Sequence, residues 1–161
     1  MIKLVGLLLI IGAMSAAGIE CSSMLKKRVG SLESFVKLLD SMATKIGTFS
    51  TPLCEFFYNY KDERLDSCGF LKAVSESVSF TEAVKSRASE LCLEENDVIL
   101  LSSFGEGLGG LSAAEEVKRC LYFKGECEKL LNEAKEALPV KTKLLKSAGV
   151  MCGILAAVLL I

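Results

Sequence analysis

Two uncharged apolar runs stand near the ends of the chain, Leu4 to Ile19 and Ser147 to Ile161, and between them the apolar positions recur at helical spacing. From Leu25 the spacing runs Leu25, Val29, Leu32, Val36, Leu39, Ala43, Ile46, alternating four and three, which is the seam of a coiled coil over three heptads. No proline or turn cluster separates this helix from the first apolar run, and only Gly30 weakens it. Gly47, Ser50, Thr51 and Pro52 then predict a break, with Thr51 as N-cap and Pro52 at the first helical position. Short helices follow: one with the face Leu53, Phe56, Phe57, Tyr60; one over Asp66 to Val78; one from Thr81 through Leu91; and one over Glu94 to Phe104. Ser112 with Glu115 three residues later is a capping-box signature opening the longest helix. Its seam runs Val117, Cys120, Lys124, Cys127, Leu131, Ala134, Leu138 and on through Lys141, Leu145, Ala148 and Cys152, with a kink expected at Pro139.

The pattern predicts an all-α protein: a helical bundle domain between N- and C-terminal transmembrane helices. Its expected parts are an N-terminal segment 1–21, a helical domain 22–146 and a C-terminal segment 147–161. Two long helices pair antiparallel and a cap of shorter ones folds across their far end. The apolar runs of sixteen and fifteen residues extend about 24 Å as helix, short of the ~30 Å hydrocarbon core, so snorkelling flanks must help. Lys26, Lys27, Arg28, Lys141, Lys143 and Lys146 face one side and Lys3 the other, which places the middle of the chain in the cytoplasm. Ser15, Ala16, Ala17 and Gly18 also suit a signal peptidase site. They open the alternative of an exported helical binding protein with a removed signal and a C-terminal anchor.

Composition narrows the chemistry. Over 161 residues, 51% are apolar, the formal net charge is −1 and histidine is absent. That leaves no basic footprint for nucleic acid and excludes His-based acid/base pairs, Ser-His-Asp systems and His metal ligands. Seven cysteines make an odd set with no C-x-x-C pair, which suits a reducing compartment and gives no zinc or redox motif. Cys120 and Cys127 share a helical face as small hydrophobes. Gly105 to Gly110 satisfies G-x-G-x-x-G, but residues 117–138 form a helical seam where a dinucleotide fold needs a second strand. No cofactor, metal or small-molecule substrate is indicated. The carboxylates Glu94, Glu95 and Asp97 could serve a small membrane enzyme, and they equally suit the start of a helix. Phe104, Gly105, Leu108, Gly109 and Gly110 are candidates for a partner contact or a tight interhelical turn. Ala148, Gly149 and Gly153, with Ala156 and Ala157, are candidates for close helix packing in the membrane.

Four motifs fall in one order along the chain: Lys3-Leu4-x-Gly6, Thr51-Pro52-Leu53, Phe104-Gly105-x-x-Leu108-Gly109 and Lys146-x-x-Gly149-x-x-x-Gly153. With the two terminal apolar runs, they make the chain resemble the stage III sporulation protein AB family over essentially its full length. Ser112 and Glu116 depart from the Asp and Gln of that pattern. The resemblance implies a non-enzymatic platform, related to the F-type inner-membrane proteins of type II secretion, in the channel joining mother cell and forespore. It further implies the mother-cell-derived outer forespore membrane as location, with the central domain in the mother-cell cytoplasm. The implied partners are other channel subunits and a cytoplasmic secretion-type ATPase.

Overall fold

The computed structural model describes the backbone of residues 2–49, 52–76 and 78–159; side chains at 2–11, 14, 15, 49, 153, 154 and 156–159 are outside the described ones. Every described element is a helix: α1 (Ile2–Phe49), α2 (Leu53–Asn59), α3 (Glu63–Ser67), α4 (Phe70–Ser75), α5 (Phe80–Arg87), α6 (Glu95–Gly105) and α7 (Ala113–Leu159). The all-α expectation holds for these residues. α1 continues unbroken from the first apolar run and passes through Gly47, so the chain breaks later than the glycine suggests. Pro52 is the N-cap of α2 and not its first residue, while Thr51 lies outside the described residues.

The single helix expected over Asp66 to Val78 is two. Gly69 takes a left-handed conformation (φ 70°) between α3 and α4, which a residue with a Cβ adopts only at a steric cost. Asp62 caps α3 by accepting from the Arg64 and Leu65 N–H groups at 3.1 and 3.0 Å. The next helix starts at Phe80, capped by Ser79; the Thr81 hydroxyl is used elsewhere, donating to Ser102 O at 3.0 Å.

The chain divides into two compact units, Arg28–Glu133 and the pair Met1–Lys27 with Ala134–Ile161. In the first, α1 and α7 run antiparallel: Lys124 pairs with Asp40 at 2.7 Å, and a Cβ at Gly47 would lie 3.3 Å from Val117. The short helices close over them around a chain of aromatic rings. Phe35, Phe70, Phe80, Phe104 and Phe123 follow one another at centroid distances of 5.2 to 5.4 Å, each pair edge-on. That geometry suits the ring quadrupoles. Cys120 and Cys127 are fully buried in this core, as their seam positions predict.

In the second unit, Gly18 meets the other helix segment so closely that a Cβ there would lie 2.8 Å from Leu145 O and 3.7 Å from Gly149 Cα. Gly149 thus packs within the chain. Ala148 is exposed, and the surroundings of Gly153, Ala156 and Ala157 lie outside the described residues. Among the described residues no helix is long and apolar enough to cross a membrane. Most side chains of the run Leu4 to Ile19, and much of the run Ser147 to Ile161, fall outside them.

Burial pushes the Cys120 thiol up to about 11 and the Cys127 thiol to about 12, from an ordinary 9.0. Since a thiol raised in the folded chain ionises first in the unfolded one, its stabilisation is complete below pH 9 and is lost between about pH 9 and 12. With maleimide at neutral pH, exposed Cys54 should react within minutes and Cys120 and Cys127 only after unfolding, as peptide mass mapping would show. Rapid modification of Cys127 in the native chain would contradict this core.

Candidate functional site

The glycine-rich loop is built from the end of α6 outward. Phe104 is completely buried, its ring between those of Phe80 and Phe123. Gly105 lets α6 lie against the start of α5: a Cβ there would sit 2.8 Å from Thr81 N and 3.0 Å from Phe80 Cδ1. Arg119, two turns into α7, reaches back. Its Nη2 donates to Ser103 O at 2.9 Å and Phe104 O at 2.6 Å, satisfying carbonyls that the end of a helix leaves without partners. Its guanidinium lies over the Phe104 and Phe123 rings, 5.6 and 5.7 Å from their centroids, a cation–π arrangement. It also fills the space a side chain at Gly107 would need. Gly109 has φ +84° beside Leu53, and Leu108 packs partly buried on the core.

The structure therefore turns Phe104 and Leu108 inward and leaves the backbone of Gly109 and Gly110 outward. As it stands the loop is a latch between α6 and α7, and Phe104 has no surface to offer a partner. The G-x-G-x-x-G match joins two helices, so the strand–turn–helix context of nucleotide binding is lacking there.

A second polar cluster was hidden in the sequence. Arg28, counted there as one of six cations flanking the apolar runs on the cytoplasmic side, turns inward instead. It donates through Nε and Nη2 to both oxygens of Asp97 at 2.7 and 2.8 Å, and its Nη1 lies 2.8 Å from Glu94. The Asp97 side chain is wholly buried and also accepts the Glu94 N–H at 2.9 Å, capping α6. The Asp97 hydrogen bond is the main cause holding the Arg28 guanidinium charged, raising its pKa above the ordinary value. Of the three carboxylates considered for catalysis, Asp97 is thus occupied in tying α6 to α1, and Glu94 joins it. The α6 start carries Glu95 and Asp97 in its first turn, favourable charges at a helix N-terminus.

At the head of α7, Glu115 accepts from Ser112 N at 3.1 Å and from its Oγ at 2.6 Å, which lowers the Glu115 pKa. This is half of the expected capping box, with the Ser112 hydroxyl donating to the carboxylate. The next residue is anomalous. Glu116 is buried, and among the described residues neither of its carboxylate oxygens has a hydrogen-bond partner. Burial without a partner penalises a charge far more than an amide. Glu116→Gln should therefore raise stability by about 1–3 kcal/mol, read as a higher melting temperature; an unchanged or lower one would mean that the carboxylate is held by groups not recognised in this geometry.

Among the described residues no group of three or more His, Cys, Asp or Glu is placed to hold a metal ion. No curated protein and no solved structure matches the chain. Against models of known families, residues 3–161 match the one described as stage III sporulation protein AB.

Proposed function

Because the chain belongs to the stage III sporulation protein AB family, we propose that it is a membrane-rooted, non-catalytic scaffold subunit of the channel between mother cell and forespore. On this reading the runs Leu4 to Ile19 and Ser147 to Ile161 span the outer forespore membrane. The helical domain faces the mother-cell cytoplasm, where it docks other channel subunits and a secretion-type ATPase.

The observation that supports the reading best is the division of the chain. Arg28–Glu133 has its own aromatic core and its own buried ion pair, while the two terminal segments pack separately on each other. Gly18 in the one and Leu145 and Gly149 in the other approach as closely as small residues allow between membrane helices. Lys26, Lys27, Lys141, Lys143 and Lys146 flank the apolar runs on the domain side, as the positive-inside tendency requires for a cytoplasmic domain.

Cys54 is exposed on α2 and reports the topology. In cells expressing the full-length chain with Cys21 and Cys152 changed to serine, a membrane-impermeant maleimide should label it only after permeabilisation, at full-length mass. Labelling of intact cells, with loss of the first twenty or so residues, would sink the platform and establish the exported binding protein.

A further inference from the structure

Gly125 lies inside α7, about three turns from its start, where glycine is the poorest helix former after proline, and the fold does not ask for it. A Cβ built there meets nothing within 4 Å, whereas at Gly18, Gly30 and Gly105 it would collide with Leu145 O, the Arg64 guanidinium and Thr81. The surface around Gly125 has two characters. One turn earlier Leu121 and Tyr122 are 51% and 64% exposed; one turn later the side chains of Glu128 and Lys129 are 48% and 70% exposed.

We propose that two copies of the chain pair in parallel through this face of α7, glycine on glycine. At about 100° and 1.5 Å per residue, Tyr122 and Lys129 lie on one flank of Gly125, and Leu121 and Glu128 on the other. A two-fold axis along the helices brings opposite flanks together at equal height. Tyr122 then falls beside Leu121 of the second copy, and Lys129 beside its Glu128, each contact made twice as an isologous interface requires. An antiparallel pair centred on Gly125 would instead bring like flanks together, setting Tyr122 against Lys129 and Leu121 against Glu128. Like meets like and charge meets countercharge only in the parallel sense. The present partners of these charges are weak exposed pairs within α7, Lys129 with Glu126 and Lys124 with Glu128. Two chains rooted by the same ends in one membrane must also run parallel, a point that rests on the reading above.

The test uses the full-length chain with two different epitope tags, co-expressed and extracted in mild detergent. Gly125→Leu should reduce co-purification of the second tag at least about tenfold while leaving the melting temperature equal or higher. Lys129→Glu or Glu128→Lys, each present in both copies, should weaken pairing similarly, because like charges then face each other. Co-expressing a Lys129→Glu copy with a Glu128→Lys copy should restore it. Undiminished pairing by Gly125→Leu, no rescue by the mixed copies, or a lower melting temperature of Gly125→Leu would each overturn the proposal. So would a different protein that occupies this face and is lost with Gly125→Leu. Fractionation of the same cells separates the two readings: pairing by a chain absent from membranes would sink the anchoring and leave the interface.

Discussion

Asp97→Ala is expected to destabilise the chain by about 3–5 kcal/mol, because it leaves the buried Arg28 guanidinium with only the half-exposed Glu94 carboxylate beside it. Arg28 is 9% exposed, and its two short hydrogen bonds to Asp97 are the ones lost. The same substitution removes the acceptor of the Glu94 N–H and so uncaps α6. For a chain of this length each kcal/mol shifts the melting temperature by about 2–4 °C, so a fall of more than about 6 °C should be seen by circular dichroism in detergent. Replacing both partners, Arg28→Met with Asp97→Leu, should recover much of the loss, since apolar side chains of similar volume need no counter-charge. A single Asp97→Ala variant that melts with the parent chain would show that water and the existing Glu94 contact suffice for Arg28.

Phe104→Ala should cost about 3–5 kcal/mol, the usual effect of emptying a fully buried aromatic position. Phe104 is the ring that joins Phe80 to Phe123 and lies beneath Arg119, so its loss opens the core and loosens the latch between α6 and α7 together. Gly110→Ala, at an exposed position where a Cβ meets only Gly107 O at 3.9 Å, should leave stability nearly unchanged. The pair separates two roles for the loop. If Phe104→Ala melted like the parent chain and lost only binding to other subunits, the loop would be a docking surface. The geometry calls for the opposite result.

Much of the fold was legible in the chain itself. The four-and-three seam from Leu25, the buried Cys120 and Cys127, the helix beginning at Glu94 and the long helix opened by Ser112 and Glu115 all follow from signals a few residues apart. The split at Gly69 escaped because a single left-handed residue leaves the helical period on either side almost intact. In the candidate site, sequence identified the Phe104 to Gly110 loop and its glycines but not what they accommodate, since Thr81, Arg119 and Leu53 come from other helices.

By itself, then, the sequence determined helix content, most helix starts, the seam and the apolar ends, because periodicity and capping act through backbone bonds spanning three or four residues. Tertiary structure alone decided which charges are structural. Lys26, Lys27 and Arg28 are alike as a cluster of cations, yet Arg28 finds its carboxylate 69 residues away, whereas Glu116 is buried with no hydrogen-bond partner among the described residues. Such partners are chosen by the packing of helices against one another, and burial changes the energy of a charge far more than any local preference does.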